Sequence, residues 1–303
     1  MSDKETFKQE LDARTAEIEQ LIGTYLPEET GHQKTIFEAM NYSMKAGGKR
    51  LRPMLMQEMC RLFTGTLLEA VIPFMAAVEM IHTSSLVHDD LPCMDDDMMR
   101  RGKASTWAEY GEDIGVLTGD ALMMYAFETA ANAFETSIDP DELSRIGRAM
   151  GILARKTGVY GMIGGQTVDV ELAGGPIPGD KLEFIYRLKT GALIEASMLI
   201  GAVLGGAAEE DCKIVESLAA KIGMAFQIQD DILDVTSSME VLGKPVLSDE
   251  KNNKTTYVTL EGLEKAKQDV ARISDDAVRI LHELPGENEF LEALIHMLVS
   301  REK

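Results

Sequence analysis

Two clusters of aspartates are the residues in this chain whose types and spacing most clearly point to chemistry. The first places five carboxylates within nine residues, Asp89, Asp90 and 95–97, directly after the nearly continuous apolar segment 71–88. Carboxylates that emerge from a core without a counter-ion are costly. A hard divalent cation that prefers oxygen ligands, magnesium above all, would offset that cost. The alternative for such a charge run is a solvated acidic loop.

The spacing within the first cluster requires a break in the helix. Asp89 and Asp95 are six residues apart, which is about 240° around a regular helix, so their carboxylates would not converge on one. Pro92 lies between them, and a proline there predicts a break that lets the chain fold back.

The second cluster comprises Asp230, Asp231 and Asp234 at the end of another apolar helical pattern. Asp230 and Asp234 are four residues apart, which places both carboxylates on one face of a helix. Either cluster alone is a weak signal. Two clusters 141 residues apart, each ending an apolar helix, favour a metal-dependent site.

Basic residues recur near the aspartates, where they could bind an anionic ligand of the metals. Lys49 and Arg52, three residues apart beside a Gly-Gly turn, could share a helical face. Lysine and arginine at helix starts or in glycine turns suit phosphate oxygens. Each one alone is typical of a solvated surface charge, but their recurrence near the aspartates predicts a diphosphate ligand. The others are Arg100, Arg101, Lys189, Lys244 and Lys254.

The composition disfavours several classes of protein. Of 303 residues, 45% are apolar and 27% charged, which is typical of a globular chain. The formal charge of −21 disfavours nucleic-acid partners. Three scattered cysteines and no signal-type apolar run at the N-terminus predict a reduced, cytoplasmic setting. The longest uncharged stretch, 196–208, has thirteen residues, whereas a span needs roughly eighteen, so no stable membrane insertion is expected.

Hydrophobic periodicity predicts an all-α fold, a single domain over residues 1–303 with ten or more helices. Strand-type alternation is nearly missing, and no linker or fixed-period repeat divides the chain. Two segments, 158–178 and 237–256, look irregular and are predicted to be functional loops. The later helical patterns cover 113–136, 140–160, 180–206, 209–235, 258–283 and 287–301.

These residues lie within an ordered series of motifs, and by that series the chain resembles the trans-prenyl diphosphate synthases, which elongate isoprenoid chains. The resemblance covers nearly the whole chain, and the spacing of the first aspartate motif is similar to that of short-chain bacterial and plant-type members. The motifs are G-G-K-R-L-R-P at 47–53, D-D-x-x-x-x-D at 89–95, R-R-G at 100–102, G-D-A at 119–121, G-G-Q at 164–166, K-T at 189–190, F-Q-I-Q-D-D-x-x-D at 226–234 and G-K at 243–244.

The resemblance implies an isoprenoid synthase fold with helices around a central cavity, a homodimer, and Mg²⁺ as cofactor, with three ions in each active site. The implied reaction is the head-to-tail condensation of isopentenyl diphosphate with an allylic diphosphate (dimethylallyl, geranyl or farnesyl). The magnesium ions and basic side chains would stabilise the departing diphosphate. An allylic cation would then be attacked by the double bond of isopentenyl diphosphate.

The resemblance also assigns roles to individual residues. The implied catalytic residues are Asp89, Asp95, Arg100, Lys189, Asp230 and Lys244. The implied metal ligands are Asp89, Asp90, Asp95, Asp230 and Asp234. The allylic diphosphate would contact Arg100, Lys189, Thr190, Gln227 and Lys244, with Lys254 as a further substrate contact. Isopentenyl diphosphate would contact Lys49, Arg52, His82 and Arg101.

Two positions depart from the family pattern: Leu247 stands where a lid motif commonly has glycine, and Trp107 where histidine is frequent. Three other functions fit part of the sequence. A terpene cyclase shares the fold and one aspartate motif but needs no isopentenyl site, and its second motif is usually of Asn/Ser/Glu type. A non-catalytic subunit of a heteromeric synthase typically lacks one motif. A calcium buffer would need a calcium-loop glycine turn, which the sequence lacks.

Product length depends on the residues one helical turn before Asp89, because these would form the floor of the cavity. They are Ser84 and Ser85. Fifteen-carbon synthases with this motif spacing often carry a bulky aromatic at the position of Ser84. Serine there predicts a deeper cavity and a twenty-carbon, geranylgeranyl-type product, with a fifteen-carbon, farnesyl-type product as the alternative. In that alternative Ser84 merely packs against a helix, and Met123 or Met124 forms the floor.

Overall fold

Helices form nearly all the regular structure of this protein, as the hydrophobic periodicity predicts. The computed structural model describes residues 3–236 and 255–300. Within these ranges, strands are confined to a short antiparallel ribbon, β1 (Met99–Arg100) paired with β2 (Lys103–Ala104). The all-α class is therefore confirmed. Most of the predicted loop 237–256 lies outside the described residues.

The described residues form two compact units, the first of which lies within 1–57 and 68–150. Its central helix is α4 (Ile72–Asp89), most of whose residues are buried and whose main neighbour is α6 (Glu112–Ala131). An almost charge-free helix must be covered on most sides. The other helices that begin in this unit are α1 (Asp3–Gly23), α2 (Lys34–Met44), α3 (Leu51–Thr64), α5 (Thr106–Tyr110), α7 (Pro140–Thr157) and the 3₁₀ turns Glu69–Val71 and Asn132–Glu135.

One helix in the described ranges, Glu69–Asp89 with its 3₁₀ turn, is long and apolar enough to cross a membrane. However, 72% of its most apolar window is buried inside the fold. The core helix of a folded domain shows burial of this kind, because its apolar side chains are covered by neighbouring helices.

The second unit lies within residues 58–67 and 151–303. Every residue of its helix α10 (Ala192–Leu204) is buried, and α11 (Glu209–Thr236) contacts both α10 and α13 (Leu263–Leu281). The prediction of a single domain over 1–303 stays a prediction. The remaining elements are α8 (Met162–Glu171), α9 (Gly179–Ile185), a π-helix at Tyr186–Gly191, α12 (Tyr257–Glu261) and α14 (Glu289–Ser300).

The structure corrects the prediction of a loop over 158–178, because α8 (Met162–Glu171) occupies the middle of that segment. Glycine lowers helix propensity, so a glycine-rich stretch resembles a loop in sequence. In α8, however, glycine permits a close approach of two backbones. A Cβ on Gly165 would lie 2.8 Å from the carbonyl carbon of Leu188, a separation that real side chains do not tolerate.

The helical pattern predicted over 180–206 is confirmed, but its middle turn is not an α-helix. The chain forms α9, then the π-helix Tyr186–Gly191, then α10. A π-helix contains wider i to i+5 turns and occurs frequently at functional sites. Here it contains Lys189 and Thr190, both assigned to the allylic diphosphate by the resemblance.

Candidate functional site

The first aspartate cluster forms a loop in which the chain turns back on the end of α4. The helix ends at Asp89, and the Asp95 N–H donates to the Asp89 carbonyl at 2.9 Å. The Asp97 N–H donates to the Asp90 carbonyl at 3.1 Å, and Asp96 has a left-handed φ of 53°. The fold-back predicted from Pro92 is therefore confirmed, and it brings the backbones of Asp89 and Asp95 together.

Asp90 differs from the other aspartates of the first cluster because it is buried, with 2% of its surface exposed. The Arg100 Nε donates to its two carboxylate oxygens at 2.9 and 3.2 Å. Burial raises the pKa of the Asp90 carboxyl, and the Arg100 ion pair opposes that shift. Burial disfavours the charge on Arg100, but Asp90 and the nearby Asp97 outweigh it and raise the Arg100 pKa. The metal-ligand role of Asp90 stays a prediction.

The ribbon after the cluster separates two adjacent arginines. Arg100 lies in β1 and contacts Asp90, whereas Arg101 lies in the turn to β2 and donates to the Gly47 carbonyl. Arg101 and Gly102 have φ values of 52° and 77°, as expected for a tight two-residue hairpin turn whose central residues have positive φ. Arg100 therefore stabilises the aspartate loop, and Arg101 stabilises the Gly47 turn.

Trp107, one of the departures from the family pattern, closes the aspartate loop. Its indole Nε1–H donates to the Asp97 carbonyl at 3.0 Å. The ribbon is held as well, because the Tyr42 hydroxyl donates to the Ala104 carbonyl at 2.8 Å. The side chain at position 107 therefore supports the loop through a backbone contact, a role that sequence reasoning missed.

The Gly-Gly turn at Gly47 and Gly48 requires backbone conformations that favour glycine, with φ values of 86° and 146°. A Cβ on Gly48 would lie 2.9 Å from an Arg101 guanidinium nitrogen, so glycine leaves room for that cation. Lys49 is exposed. It lies in the turn and not in a helix, because α3 begins only at Leu51. The predicted shared helical face of Lys49 and Arg52 is therefore wrong.

A buried ion pair that sequence reasoning missed supports this turn. Arg50, with φ 48°, donates to Glu79 at 2.8 Å and to the Met44 carbonyl at 2.7 Å. The Arg50 and Glu79 side chains are 5% and 3% exposed. The signal was present in the sequence, because a glutamate within the apolar helix α4 must find a cation.

His82 lies on α4 within the field of several arginines. Burial, followed by the charges of Arg52, Arg101 and Arg50, lowers the pKa of His82 well below its usual value of 6.5. Burial also lowers the pKa of Arg52, although a guanidinium stays cationic at neutral pH. A neutral imidazole can donate one hydrogen bond to an anion, while the arginines supply the positive charge. The structure therefore gathers three of the four residues assigned to isopentenyl diphosphate, His82, Arg52 and Arg101.

In the second unit, the aspartate cluster lies in the continuous helix α11. Asp230 and Asp234 therefore share a helical face, as predicted. Asp230 is exposed and Asp234 is buried. Asp231, also buried, accepts hydrogen bonds from the Tyr186 hydroxyl at 2.5 Å and the Tyr257 N–H at 2.9 Å. Asp231 thus connects α11 to the π-helix and to the start of α12.

The two residues of the π-helix that the resemblance assigns to the allylic diphosphate are each held by a different helix. The Lys189 ammonium contacts the Asp169 carboxylate of α8 at 2.6 Å, and the Thr190 hydroxyl donates to the Gln227 amide oxygen of α11 at 2.8 Å. Three residues assigned to the allylic diphosphate, Lys189, Thr190 and Gln227, therefore lie in one unit. Asp169 was missed because its segment was taken for a loop. Lys244, Lys254 and Leu247 lie outside the described residues.

The proposed cavity-floor residues lie inside α4. Ser84 has no exposed surface, and its hydroxyl makes no hydrogen bond within the described residues. Ser85 is partly buried and donates to the His82 carbonyl at 2.8 Å. Met124, the alternative floor residue, is 69% exposed in this chain.

The donor chemistry of both clusters fits magnesium. The ion prefers oxygen ligands and is usually bound through one or two carboxylates together with substrate phosphates. Across residues 3–236 and 255–300, no three carboxylate, imidazole or thiol groups form a ready-made metal cage. Asp89 and Asp95 would hold magnesium in the first unit, and Asp230 and Asp234 would hold magnesium in the second.

Comparison with known proteins agrees with this geometry. Residues 33–291 match the polyprenyl synthetase family. The chain is 46% identical over 243 residues to a chloroplastic geranylgeranyl pyrophosphate synthase of Capsicum annuum; the match covers 80% of this chain and 64% of that protein, less than two thirds of its length. It is 37% identical to a farnesyl diphosphate synthase of Geobacillus stearothermophilus, over 97% of this chain and 98% of that protein.

A solved structure extends the likeness to the whole fold. The chain superimposes on a geranyltransferase from Helicobacter pylori complexed with magnesium and isoprenyl diphosphate, with a TM-score of 0.81 and 29% identity. The superposition covers 99% of this chain and 97% of the other. The family match, the sequence identity and the fold therefore agree, and the chain belongs to the polyprenyl synthetase family.

Proposed function

We propose that this protein is a magnesium-dependent, short-chain trans-prenyl diphosphate synthase, which condenses isopentenyl diphosphate with an allylic diphosphate. The observation that carries the proposal is the division of Arg100 and Arg101. Arg100 serves the folded-back aspartate loop, while Arg101 joins Arg52 and His82 beside the glycine turn. Carboxylates for a metal and cations for a second diphosphate are thus held by adjacent residues of one ribbon.

In this proposal the residues of the chain bind and orient charge rather than form covalent bonds. Arg52, Arg101 and a neutral His82 hold isopentenyl diphosphate through charge-assisted hydrogen bonds. Lys189, Thr190 and Gln227 hold the allylic diphosphate. When bound, magnesium would supply charge stabilisation to the departing diphosphate, with three ions proposed for each active site. Asp89 and Asp95 would hold magnesium in the first unit, and Asp230 and Asp234 would hold it in the second.

The condensation then requires the exclusion of water from the active site and a group that accepts a proton. The apolar side chains of a nearly charge-free helix such as α4 would exclude water that would quench an allylic cation. The double bond of isopentenyl diphosphate attacks that cation, and one proton is lost. We infer that the released diphosphate accepts the proton.

The relatives support this proposal over its alternatives. The Capsicum annuum and Geobacillus stearothermophilus proteins are named as synthases, and the Helicobacter pylori structure contains magnesium and isoprenyl diphosphate. A terpene cyclase would not need the cations beside the glycine turn. A non-catalytic subunit would not need both aspartate clusters, which this chain keeps.

We further propose a twenty-carbon product, with fifteen carbons as the alternative. Ser84 is small and wholly buried. The 46% identity to a geranylgeranyl pyrophosphate synthase favours the longer product.

Chromatography of products made from labelled isopentenyl diphosphate, magnesium and each allylic primer tests both parts of the proposal. Wild type should give mainly twenty-carbon diphosphate, and Ser84→Tyr should shift the main product to fifteen carbons. No labelled prenyl product with any primer would contradict the synthase function. A wild type that stops at fifteen carbons, unchanged by Ser84→Tyr, would show that position 84 is not the floor.

We also propose that the protein is a cytoplasmic homodimer. The support for the dimer lies on α6, where Leu117 and Met124, seven residues apart, are 54% and 69% exposed. Residues with this spacing lie on one helical face. Large apolar side chains on one exposed face are typical of an interaction surface, and we assign a second copy of the chain as the partner.

A further inference from the structure

The Lys189 ammonium is held within the second unit by one carboxylate. Its Nζ lies 2.6 Å from an Asp169 oxygen, and the two side chains are 28% and 14% exposed. A lysine side chain has four rotatable bonds, so a free ammonium samples many positions. A partly buried partner at hydrogen-bond distance restricts it to one region.

The backbone at Lys189 is also held by α8, the helix that carries Asp169. Gly165 and Asp169 are four residues apart on α8, and therefore share a face. A Cβ on Gly165 would collide with the Lys189 backbone nitrogen and with Leu188. This face of α8 thus contacts the π-helix twice, through Gly165 at the backbone and through Asp169 at the ammonium.

The neighbouring residue is restrained independently by α11. Thr190 donates to Gln227, and a Cβ on Gly223 would lie 2.8 Å from the Cα of Gly191. The π-helix is therefore held by two helices, α8 through Gly165 and Asp169, and α11 through Gly223, Gln227 and Asp231. Asp169 is the polar side chain on the α8 side.

We propose that Asp169 is a positioning residue that acts through Lys189, holding its ammonium where the allylic diphosphate is to bind. This inference rests on the proposed function. A cation placed before the substrate arrives needs little reorganisation when charge develops on the leaving group. The side-chain partner of Asp169 in this account is Lys189, so the proposed role of Asp169 is exerted through the lysine.

A double-mutant cycle with Asp169→Asn and Lys189→Ala tests the proposal. Asp169→Asn should lower kcat/KM for the allylic diphosphate by roughly 10- to 100-fold, the scale for removing an outer-shell partner of a functional group. The KM for isopentenyl diphosphate should change by less than about twofold, whereas Arg52→Ala should raise it. In the Lys189→Ala background, Asp169→Asn should cause no further loss, because its effect passes through the lysine.

The matched control is Asp276→Asn, which removes another Asp–Lys contact of the second unit, the 3.4 Å pair with Lys221, and should leave both KM values unchanged. Additive losses in the double variant, equal changes in both KM values, or unchanged kinetics in Asp169→Asn would each overturn the inference. If Asp169→Asn does not fold, Asp169→Glu carries the same test, because a longer acid displaces the ammonium. Wild type without turnover contradicts the proposed function itself, whereas active wild type with additive losses contradicts only the role of Asp169.

Discussion

At the scale of single residues, the pairs Asp89–Asp90 and Asp230–Asp231 each combine one buried aspartate with one more exposed aspartate. Asp90 and Asp231 are buried and hydrogen-bonded, to Arg100 and to Tyr186 respectively, whereas Asp230 is exposed and Asp89 partly so. Consecutive residues on a helix point about 100° apart, so one member of each pair faces inward and the other does not. The inward member is held by the fold, and we propose the outward member as a metal ligand.

Replacing an outward member should therefore remove catalysis. We expect Asp89→Ala or Asp230→Ala to lower turnover at saturating magnesium by at least about 100-fold, the scale for losing one preorganised electrostatic element. Steady-state kinetics with both substrates measure the effect. Near-normal turnover in either variant would refute the proposed metal-binding role of the replaced aspartate.

The depressed pKa of His82 predicts a pH dependence of stability. Above about pH 6.5 the imidazole is neutral in both states and contributes nothing. Below it, the unfolded chain binds a proton that the folded protein resists, because burial and Arg52, Arg101, Arg50 and Arg100 disfavour the imidazolium. Native stability is thus lost as the pH falls, by at most about 1.4 kcal/mol per pH unit for one proton.

Urea unfolding of wild type and His82→Asn across this range measures the difference. The free energy of unfolding of wild type, relative to the variant, should be constant above pH 6.5 and should decrease below it. A difference that does not vary with pH would show that the folded protein accepts the proton on His82 as readily as the unfolded chain.

At the scale of elements, the sequence predicts what periodicity and a single proline encode. The periodicity of α11 placed Asp230 and Asp234 on one face, and Pro92 predicted the fold-back after Asp89. It did not predict α8 or the π-helix. The glycines of α8 serve contacts with a segment distant in the chain, and local composition does not show such contacts. A change from α to π turns leaves composition unaltered, so only tertiary contacts reveal it.

The close approach of α8 to the π-helix can be tested by adding one methyl group. Gly165→Ala should lower the free energy of unfolding by about 1–3 kcal/mol, because overpacking forces the backbone at Lys189 to move. Gly147→Ala is the matched control, since a Cβ there meets nothing within 4 Å. It should raise stability by about 0.4–1 kcal/mol. Equal effects of the two substitutions in urea unfolding would show that α8 does not depend on glycine.

At the scale of the whole molecule, charge and surface set the conditions for function. The chain has a formal charge of −21, yet its proposed substrates are anions. Local groups of cations, such as Arg52 with Arg101, must therefore overcome the general field. The large apolar side chains exposed on α6 are the other whole-molecule feature, because the proposed dimer would bury them.

The proposed dimer can be tested by hydrodynamic mass. Wild type should sediment at twice the chain mass of 33.3 kDa. A double variant with Leu117→Asp and Met124→Asp should sediment as a monomer, because buried unpaired carboxylates are costly. Ile138→Asp, at a position 97% exposed, is the control and should not change the mass. A double variant that stays dimeric would place the interface elsewhere.

The central proposal is that the chain transfers an allylic group to isopentenyl diphosphate. The most direct test measures inorganic pyrophosphate released from an allylic diphosphate with magnesium, in the presence and absence of isopentenyl diphosphate. We predict that pyrophosphate appears only when both substrates are present, with one released for each isopentenyl diphosphate consumed. Pyrophosphate released from the allylic substrate alone, or none under either condition, would contradict a prenyl diphosphate synthase.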